Sequence, residues 1–356
     1  MAVIRFSNNN AQFFITLKGR VNDYFEDNKI KMTGNYKLYI KTFLLMSALL
    51  GIYSWLVFFT PQNIFLALSL CGVLGLLFAG VGFNVMHDGA HGSYSSKSWL
   101  NQMMAYSLEF MGGSSYLWKL KHNVAHHSFT NIEGMDEDID ILPLMRVNKG
   151  QKKIWIHRFQ HIYSFLLYGL TYVTWIYFND FKKYFLRKIK ETNVPKFPLK
   201  DHIVFWGTKL TYLAIFLAIP IWQVGLWYTL LGYGIMVFIC GVFIAFTFQL
   251  AHVNEETEFV IPVGDKYTIE NEWAVHQIVT TTNFATKQKW HGWFWGGLNY
   301  QIEHHLFPRI SHIHYPAISK IVKQTCSEFN VAYKEFPTVV SAIYSHLVYL
   351  KNLGVA

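Results

Sequence analysis

Residues 63–85 read NIFLALSLCGVLGLLFAGVGFNV, and after Met86 the chain continues directly as HDGAH through His87 and His91. The run holds no charged side chain. At about 1.5 Å per residue it is long enough to cross a hydrocarbon core of about 30 Å as one helix. It then delivers two histidines four apart, on one face of a helix. Three more runs share this character, at about 39–59, 204–224 and 229–251. Thr60-Pro-Gln-Asn63 joins the first pair and the segment Pro220 to Gly225 the second, so the spans form two hairpins. With 52% hydrophobic residues gathered into runs along 356 positions, the composition fits an all-α integral membrane protein and not two soluble domains.

The charge pattern orients these spans. Of 31 Lys and Arg, seven precede or border the first run, fifteen lie between the hairpins and eight follow the last run. Only Lys209 lies within a span, near its end, where its side chain is expected to snorkel to the interface. The positive-inside rule then places both termini and the central region in the cytoplasm. The net charge of +9 flanks apolar runs, so its partner is an anionic membrane surface and not nucleic acid. Two other apolar stretches, about 99–118 and 159–178, carry polar breaks or aromatic, basic-flanked sequence and are expected to lie in the interface. Cys71, Cys240 and Cys326 share no motif spacing, which excludes a disulfide framework or a cysteine metal site. The N-terminus has no apolar core of a signal peptide, and no repeat or linker divides residues 1–356, so a single domain is expected.

Two further histidine clusters follow the first. His122 and His126 stand at helical spacing with His127 beside them, and His304 and His305 follow Gln301 by three and four residues. In an α-helix His122 and His126 share a face while His127 turns away from it, free to reach a second ion. A lone histidine is more often a buried residue bonded to backbone. Seven in three clusters at one membrane face point to metal, and seven nitrogens are too many for one ion and about right for two. Imidazole alone suits iron, copper, zinc or nickel. A zinc protease requires His-Glu-x-x-His, and here Asp88 stands at the glutamate position. Axial haem histidines would stand singly within spans.

His87-x-x-x-His91, His122-x-x-x-His126-His127 and Gln301-x-x-His304-His305 together resemble the three histidine boxes of membrane fatty acid desaturases. The Gln-Ile-Glu-His-His form is similar to the front-end branch, which includes linoleoyl-CoA and sphingolipid desaturases. Phe248-Gln-Leu-Ala-His252, Glu272-Trp-Ala-Val-His-Gln277, Thr280-Thr-Thr-Asn-Phe-Ala285 and His305-Leu-Phe-Pro308 extend the likeness across roughly residues 40–320. The resemblance implies four membrane helices and a cytoplasmic helical cap holding a non-haem di-iron centre. It also implies molecular oxygen as co-substrate and a long acyl chain, as acyl-CoA or acyl-lipid, as the substrate losing two hydrogens. An unactivated C–H bond has no acidic proton, so acid–base chemistry cannot break it, whereas iron with open coordination positions and oxygen can.

By that resemblance the metal ligands are His87, His91, His122, His126, His127, His304 and His305. His252, at the end of the fourth span, is the next choice, with His276 the weaker alternative. Gln301 occupies a ligand position, where an amide oxygen donates more weakly than imidazole. Asp88, Asp138, Asp140 and Glu303 are the carboxylates nearest in sequence to orient the imidazoles. His157 and His161 are expected at the surface, and His312 and His314 in structural roles. Many front-end members carry a fused haem domain with a His-Pro-Gly-Gly motif. This chain has no such motif, so electrons are expected from a separate carrier, a ferredoxin or a small haem protein. The alternatives are a hydroxylase on the same scaffold and a non-catalytic membrane metal or haem carrier.

Overall fold

The computed structural model describes residues 3–7, 11–139, 141–190, 192–263 and 266–356. Four helices are long and apolar enough to cross a membrane: Tyr36–Phe58, Ile64–His91, Leu199–Val224 and Leu226–His252. Each is longer than expected, by extension at one end or both. The second continues through a π-helical turn, Gly82–Met86, so that box one is the last turn of the span itself. The third continues past Pro220, because a π-helical turn at Ala214–Ala218 opens the backbone where the proline ring would strike the preceding turn. The connection to the fourth span therefore shrinks to Gly225, which takes a positive φ of 90°.

The spans pack around Leu45, Leu49, Phe78, Tyr212, Phe216 and Met236, all buried. Close helix crossings rest on small residues, since in a membrane packing and not water exclusion holds helices together. A Cβ on Gly75 would lie 2.4 Å from Met236 O of the fourth span, and one on Gly241 would lie 2.6 Å from Gly169 O. Outward, Phe43, Phe65 and Leu231 are exposed as lipid-facing residues must be. Trp222 and Trp227, 83% and 78% exposed, flank the Gly225 turn like an interfacial aromatic belt.

The stretch 99–118 does not form a span. It breaks into Ser98–Ala105, Ser107–Phe110 and Ser115–Lys119. The stretch 159–178 lies in one long helical rod, Gln160–Thr174 extended through the π-helical turn Trp175–Asn179 into Asp180–Leu186, and it packs along the fourth span. Lys209 corrects the expectation of snorkelling. It is buried and turned inward, donating to Asp180 Oδ2 at 2.8 Å, Gly112 O at 2.7 Å and Ile176 O at 2.9 Å. Three acceptors satisfy an ammonium fully, which snorkelling would leave to water.

The cap is helical with small strand pairs that tie its ends down. Val3–Phe6 pairs in parallel with Lys266–Ile269, and Asn283–Phe284 with Glu335–Phe336. The amphipathic helix Ala11–Asp27 buries Phe13, Leu17, Val21 and Phe25 against Tyr315–Glu328. His157 is a second correction: it is buried, with Ile154 N–H donating to its Nδ1 at 3.2 Å and Nε2 donating to Pro143 O at 2.9 Å. It closes a turn and does not face solvent; His161 is half-buried.

Candidate metal centre

The second and fourth spans end side by side, and their last turns present His87, His91 and His252 to one buried chamber. Helix Gln301–Leu306 lowers His304 and His305 into it from the cap. Box two closes the chamber, and its backbone departs from the expected α-helix. Leu120–His126 is π-helical, and His127 N–H bonds to His122 O, five residues back, at 3.1 Å. In that wider turn the residue five along comes round closer to the first than it does in an α-helix. His127 therefore does not turn away from its box. Its ring centroid lies 4.8 Å from that of His122, nearer than the 5.2 Å between His122 and His126.

Two groups of nitrogens result. Ligand atoms of His87, His91, His122 and His304 all lie within 4.8 Å of one another, as do those of His126, His252 and His305. His127 stands between the groups, its ring 4.6 Å from His304 and 4.5 Å from His305. His122 and His126 also form a close set with Asp138. Every one of these histidines is buried.

In four of the rings the outer nitrogen has a partner. His126 Nδ1 donates to Asp136 Oδ2 at 3.0 Å, His305 Nδ1 to Gln277 Oε1 at 2.8 Å, and His252 Nδ1 to Thr280 O at 3.3 Å. His304 Nδ1 lies 3.3 Å from Tyr315 Oη. By contrast Nε2 of His87, His91, His126, His252, His304 and His305 is buried with no hydrogen-bond partner among the described residues. Each such orphan costs about 1–3 kcal/mol in a folded interior. Six of them converge in groups that could hold a metal ion, and anchoring of the second nitrogen is what a ligating imidazole needs.

Electrostatics point the same way. Burial, and then neighbouring imidazoles, push His127, His304 and His305 well below the ordinary histidine range, and burial takes His122 down to about 4. These rings are neutral, with lone pairs available. Burial also acts downward on His126, but the charges of Asp136 and Asp138 outweigh it and raise its pKa. Lys121 pairs with Asp138, burial opposing that carboxylate's charge while Lys121 holds its pKa well below the ordinary value.

Residues 59–337 match the family model described as fatty acid desaturase. The chain belongs to the fatty acid desaturase family. Among its relatives, the acyl-lipid (8-3)-desaturase of Physcomitrium patens is 37% identical over 97% of this chain and 72% of the relative. The sn-1 linoleoyl-lipid 6-desaturase of a Synechocystis species is 37% identical over 96% of this chain and 95% of the relative. The acyl-lipid (8-3)-desaturase of Mortierella alpina is 31% identical over 96% and 78%. The chain is a fatty acid desaturase of the front-end type, an oxidoreductase.

Within this desaturase the outer residues differ from those nearest in sequence. Asp136, which sequence proximity to the boxes did not single out, is the carboxylate bonded to a box histidine; it is 1% exposed and also accepts Asn131 N–H at 3.0 Å. Asp138 lies 3.8 Å from both His122 Nδ1 and His126 Nδ1. Asp140 lies outside the described residues. Glu303 does not orient an imidazole: it accepts from Asn283 Nδ2 at 2.8 Å and Tyr333 Oη at 3.0 Å, facing the C-terminal segment. Burial raises its pKa to about 7. Asp88 accepts from Ser311 Oγ at 2.6 Å and lies 3.0 Å from His312 Nδ1, so it joins box one to the loop after box three. His312 and His314 are structural, the latter 3.3 Å from Thr33 O. His276 is spent on Thr130 O at 2.8 Å, outside the cluster. Gln277, also absent from the expected set, is the acceptor for His305. Gln301 is buried at the start of the helix that carries His304 and His305, its amide nitrogen without a partner among the described residues. Gly89 is fixed by packing: a Cβ there would lie 2.6 Å from Ala105 N of helix Ser98–Ala105.

Proposed function

We propose that this desaturase holds two iron ions and uses molecular oxygen to introduce a double bond near the carboxyl end of a lipid-borne acyl chain. The observation that carries the reading is the convergence of six unpartnered, buried Nε2 atoms in two groups. His87, His91, His122 and His304 would hold one ion and His126, His252 and His305 the other, with His127 between them and Gln301 at an open position. Iron supplies one-electron chemistry with oxygen that no amino-acid side chain provides. Oxygen takes four electrons to become two waters; the two C–H bonds give two, and a carrier gives two. A separate ferredoxin or small haem protein fits the basic balance of the chain, net +9.

The chain's own groups set the surroundings of that chemistry. Asp136, Gln277 and Thr280 fix which nitrogen of each ring points inward, and burial keeps water from the site. The relatives' names, acyl-lipid and linoleoyl-lipid desaturases, favour a membrane acyl-lipid over acyl-CoA as substrate. The excess of Lys and Arg outside the spans supports a site and termini on the cytoplasmic side, with residues 1–356 acting as one unit.

Expression in a host with a simple lipid profile, with mass-spectrometric location of new double bonds, tests the reaction. Hydroxylated chains without new unsaturation would replace desaturase by hydroxylase. Purified protein should contain two iron atoms and no haem absorbance, and His304→Ala should abolish product. Gln301→Ala with full iron and full activity would remove Gln301 from the site.

A further inference from the structure

A cavity of about 480 Å³ opens directly against the histidine cluster, with His91 and His127 in its wall. The rest of its lining is polar where it nears the site. Lys119 is half-buried and donates Nζ to Gln102 Oε1 at 2.9 Å, which leaves two of its three N–H bonds unspoken for. Asn123 donates Nδ2 to Ala90 O at 3.1 Å, while its Oδ1 is buried with no partner among the described residues. Arg309 is exposed at the rim. A larger cavity, about 650 Å³, lies at the other end of the spans around Leu56, Cys71 and Tyr228. From Cys71 to His87 along the second span is about 24 Å at 1.5 Å per residue, so that cavity is remote from the reacting carbons.

The position of the reaction along the acyl chain decides between these cavities. Relatives are named as a 6-desaturase and a Delta(5) desaturase, for carbons six and five of the chain. An extended chain advances about 1.2 Å per bond, so a carbon at position six stands roughly 6 Å from its carbonyl. The carbonyl must then sit in a polar space touching the metal ligands. Among the described residues the smaller cavity meets that requirement and the distant one fails it.

We propose that this cavity receives the acyl carbonyl and the first atoms of the head group. Lys119 donates to the carbonyl oxygen, and Asn123 Oδ1 accepts a head-group hydroxyl or N–H. By fixing the carbonyl at a set distance from the histidines, Lys119 is a positioning residue that sets where the double bond is placed. The inference rests on the front-end desaturase reading. A glycerolipid ester and a CoA thioester offer the same carbonyl, so the experiment has one arm for each.

Photoaffinity labelling tests the placement apart from turnover. An acyl chain with a diazirine at carbon 3 is presented to purified protein, metal-free and iron-loaded, on a galactolipid in one arm and on CoA in the other. Label is expected on peptides spanning residues 89–102 and 119–127 in at least one arm, and the labelled arm identifies the carrier. Label confined in both arms to residues 53–74 and 216–236 overturns the proposal. In parallel, Lys119→Met at unchanged iron content should raise KM about tenfold, the value of a lost hydrogen bond to a charged donor, and scatter the double bond over neighbouring positions. Lys119→Arg should restore a single position. Wild-type KM and a single product position in Lys119→Met would also overturn it. Cavity labelling of wild-type protein that makes no double bond would support the lipid site while removing the desaturase reading beneath it.

Discussion

Replacing Asp136 by asparagine should weaken metal binding at the His126 group by 10- to 100-fold. The carboxylate is buried, 1% exposed, and takes three hydrogen bonds: His126 Nδ1 at 3.0 Å and Asn131 N at 3.0 Å on Oδ2, and Asp138 N at 2.9 Å on Oδ1. A hydrogen bond to a charged acceptor contributes about 1.5–3 kcal/mol. At about 1.4 kcal/mol per tenfold, that range matches the 10–100-fold loss typical when the outer partner of a ligating histidine is removed. Asparagine keeps the shape but turns one acceptor into a donor, so either His126 or a loop amide faces an N–H. The assay is competitive titration of purified apoprotein with Co(II), read by its visible absorption, alongside metal content after expression. Because the variant also loosens the loop that holds Asn131, a double-mutant cycle with His126→Asn separates the two effects. If Asp136 acts through the imidazole, the double variant binds metal no more weakly than His126→Asn alone. Unchanged affinity in Asp136→Asn, or full additivity in the cycle, would refute the account of a carboxylate fixing its ring.

Lys209→Met should lower stability by about 3–5 kcal/mol, because Asp180 would remain buried without its cation, and Lys209→Met with Asp180→Leu should recover most of the loss; thermal melting in detergent reads both. Gly89→Ala should strip the protein of metal, measured by elemental analysis, since a methyl 2.6 Å from Ala105 N drives helix Ser98–Ala105 off box one. His346 is wedged between Tyr168 Oη at 2.7 Å and Val253 O at 2.5 Å, and burial pushes its pKa down to about 4. Between that value and the ordinary 6.5 the unfolded chain holds a proton the folded one refuses, so the histidine's contribution is complete above about 6.5 and declines as pH falls toward 4, by at most about 3 kcal/mol. The stability gap between wild type and His346→Gln should accordingly narrow from pH 7.5 to pH 4.5, and a constant gap would contradict the assignment.

The spans and the boxes were legible because both signals are local. A run such as 63–85 carries its own length and hydrophobicity, and His87 and His91 carry their own spacing. What could not be read are features set by distant packing. Lys209 follows the snorkelling rule until Asp180, twenty-nine residues away in sequence, and the carbonyls of Gly112 and Ile176 are brought to its ammonium. Glu303 adjoins two candidate ligands, yet residues of an α-helix one position apart face different ways, and its carboxylate leaves the chamber for Tyr333. Asp136 is one of several acids between Met135 and Asp140, and nothing in that run distinguishes the one that the turn at Asn131 aims at His126. Gln277 carries no charge or metal-ligand signature at all; its role exists only because Trp273–Val279 packs beside Gln301–Leu306.

Box two shows why a correct motif can still be given the wrong geometry. Its spacing invites an α-helix, in which His122 and His126 pair and His127 is spun off. The π-helical turn Leu120–His126 changes the rotation per residue, so His127 swings back between the two groups. Two tryptophans hold this turn from outside. Trp118 stacks on His122 with centroids 4.3 Å apart, and Trp273 Nε1 donates to His127 O at 3.1 Å, anchoring both ends of the widened turn. A π-turn sacrifices regular i→i+4 bonding, and such turns persist where the displaced side chains are needed. Here the displaced side chain is the histidine that touches both nitrogen groups, so the irregular backbone is what joins three boxes on three separate elements into two adjoining histidine groups.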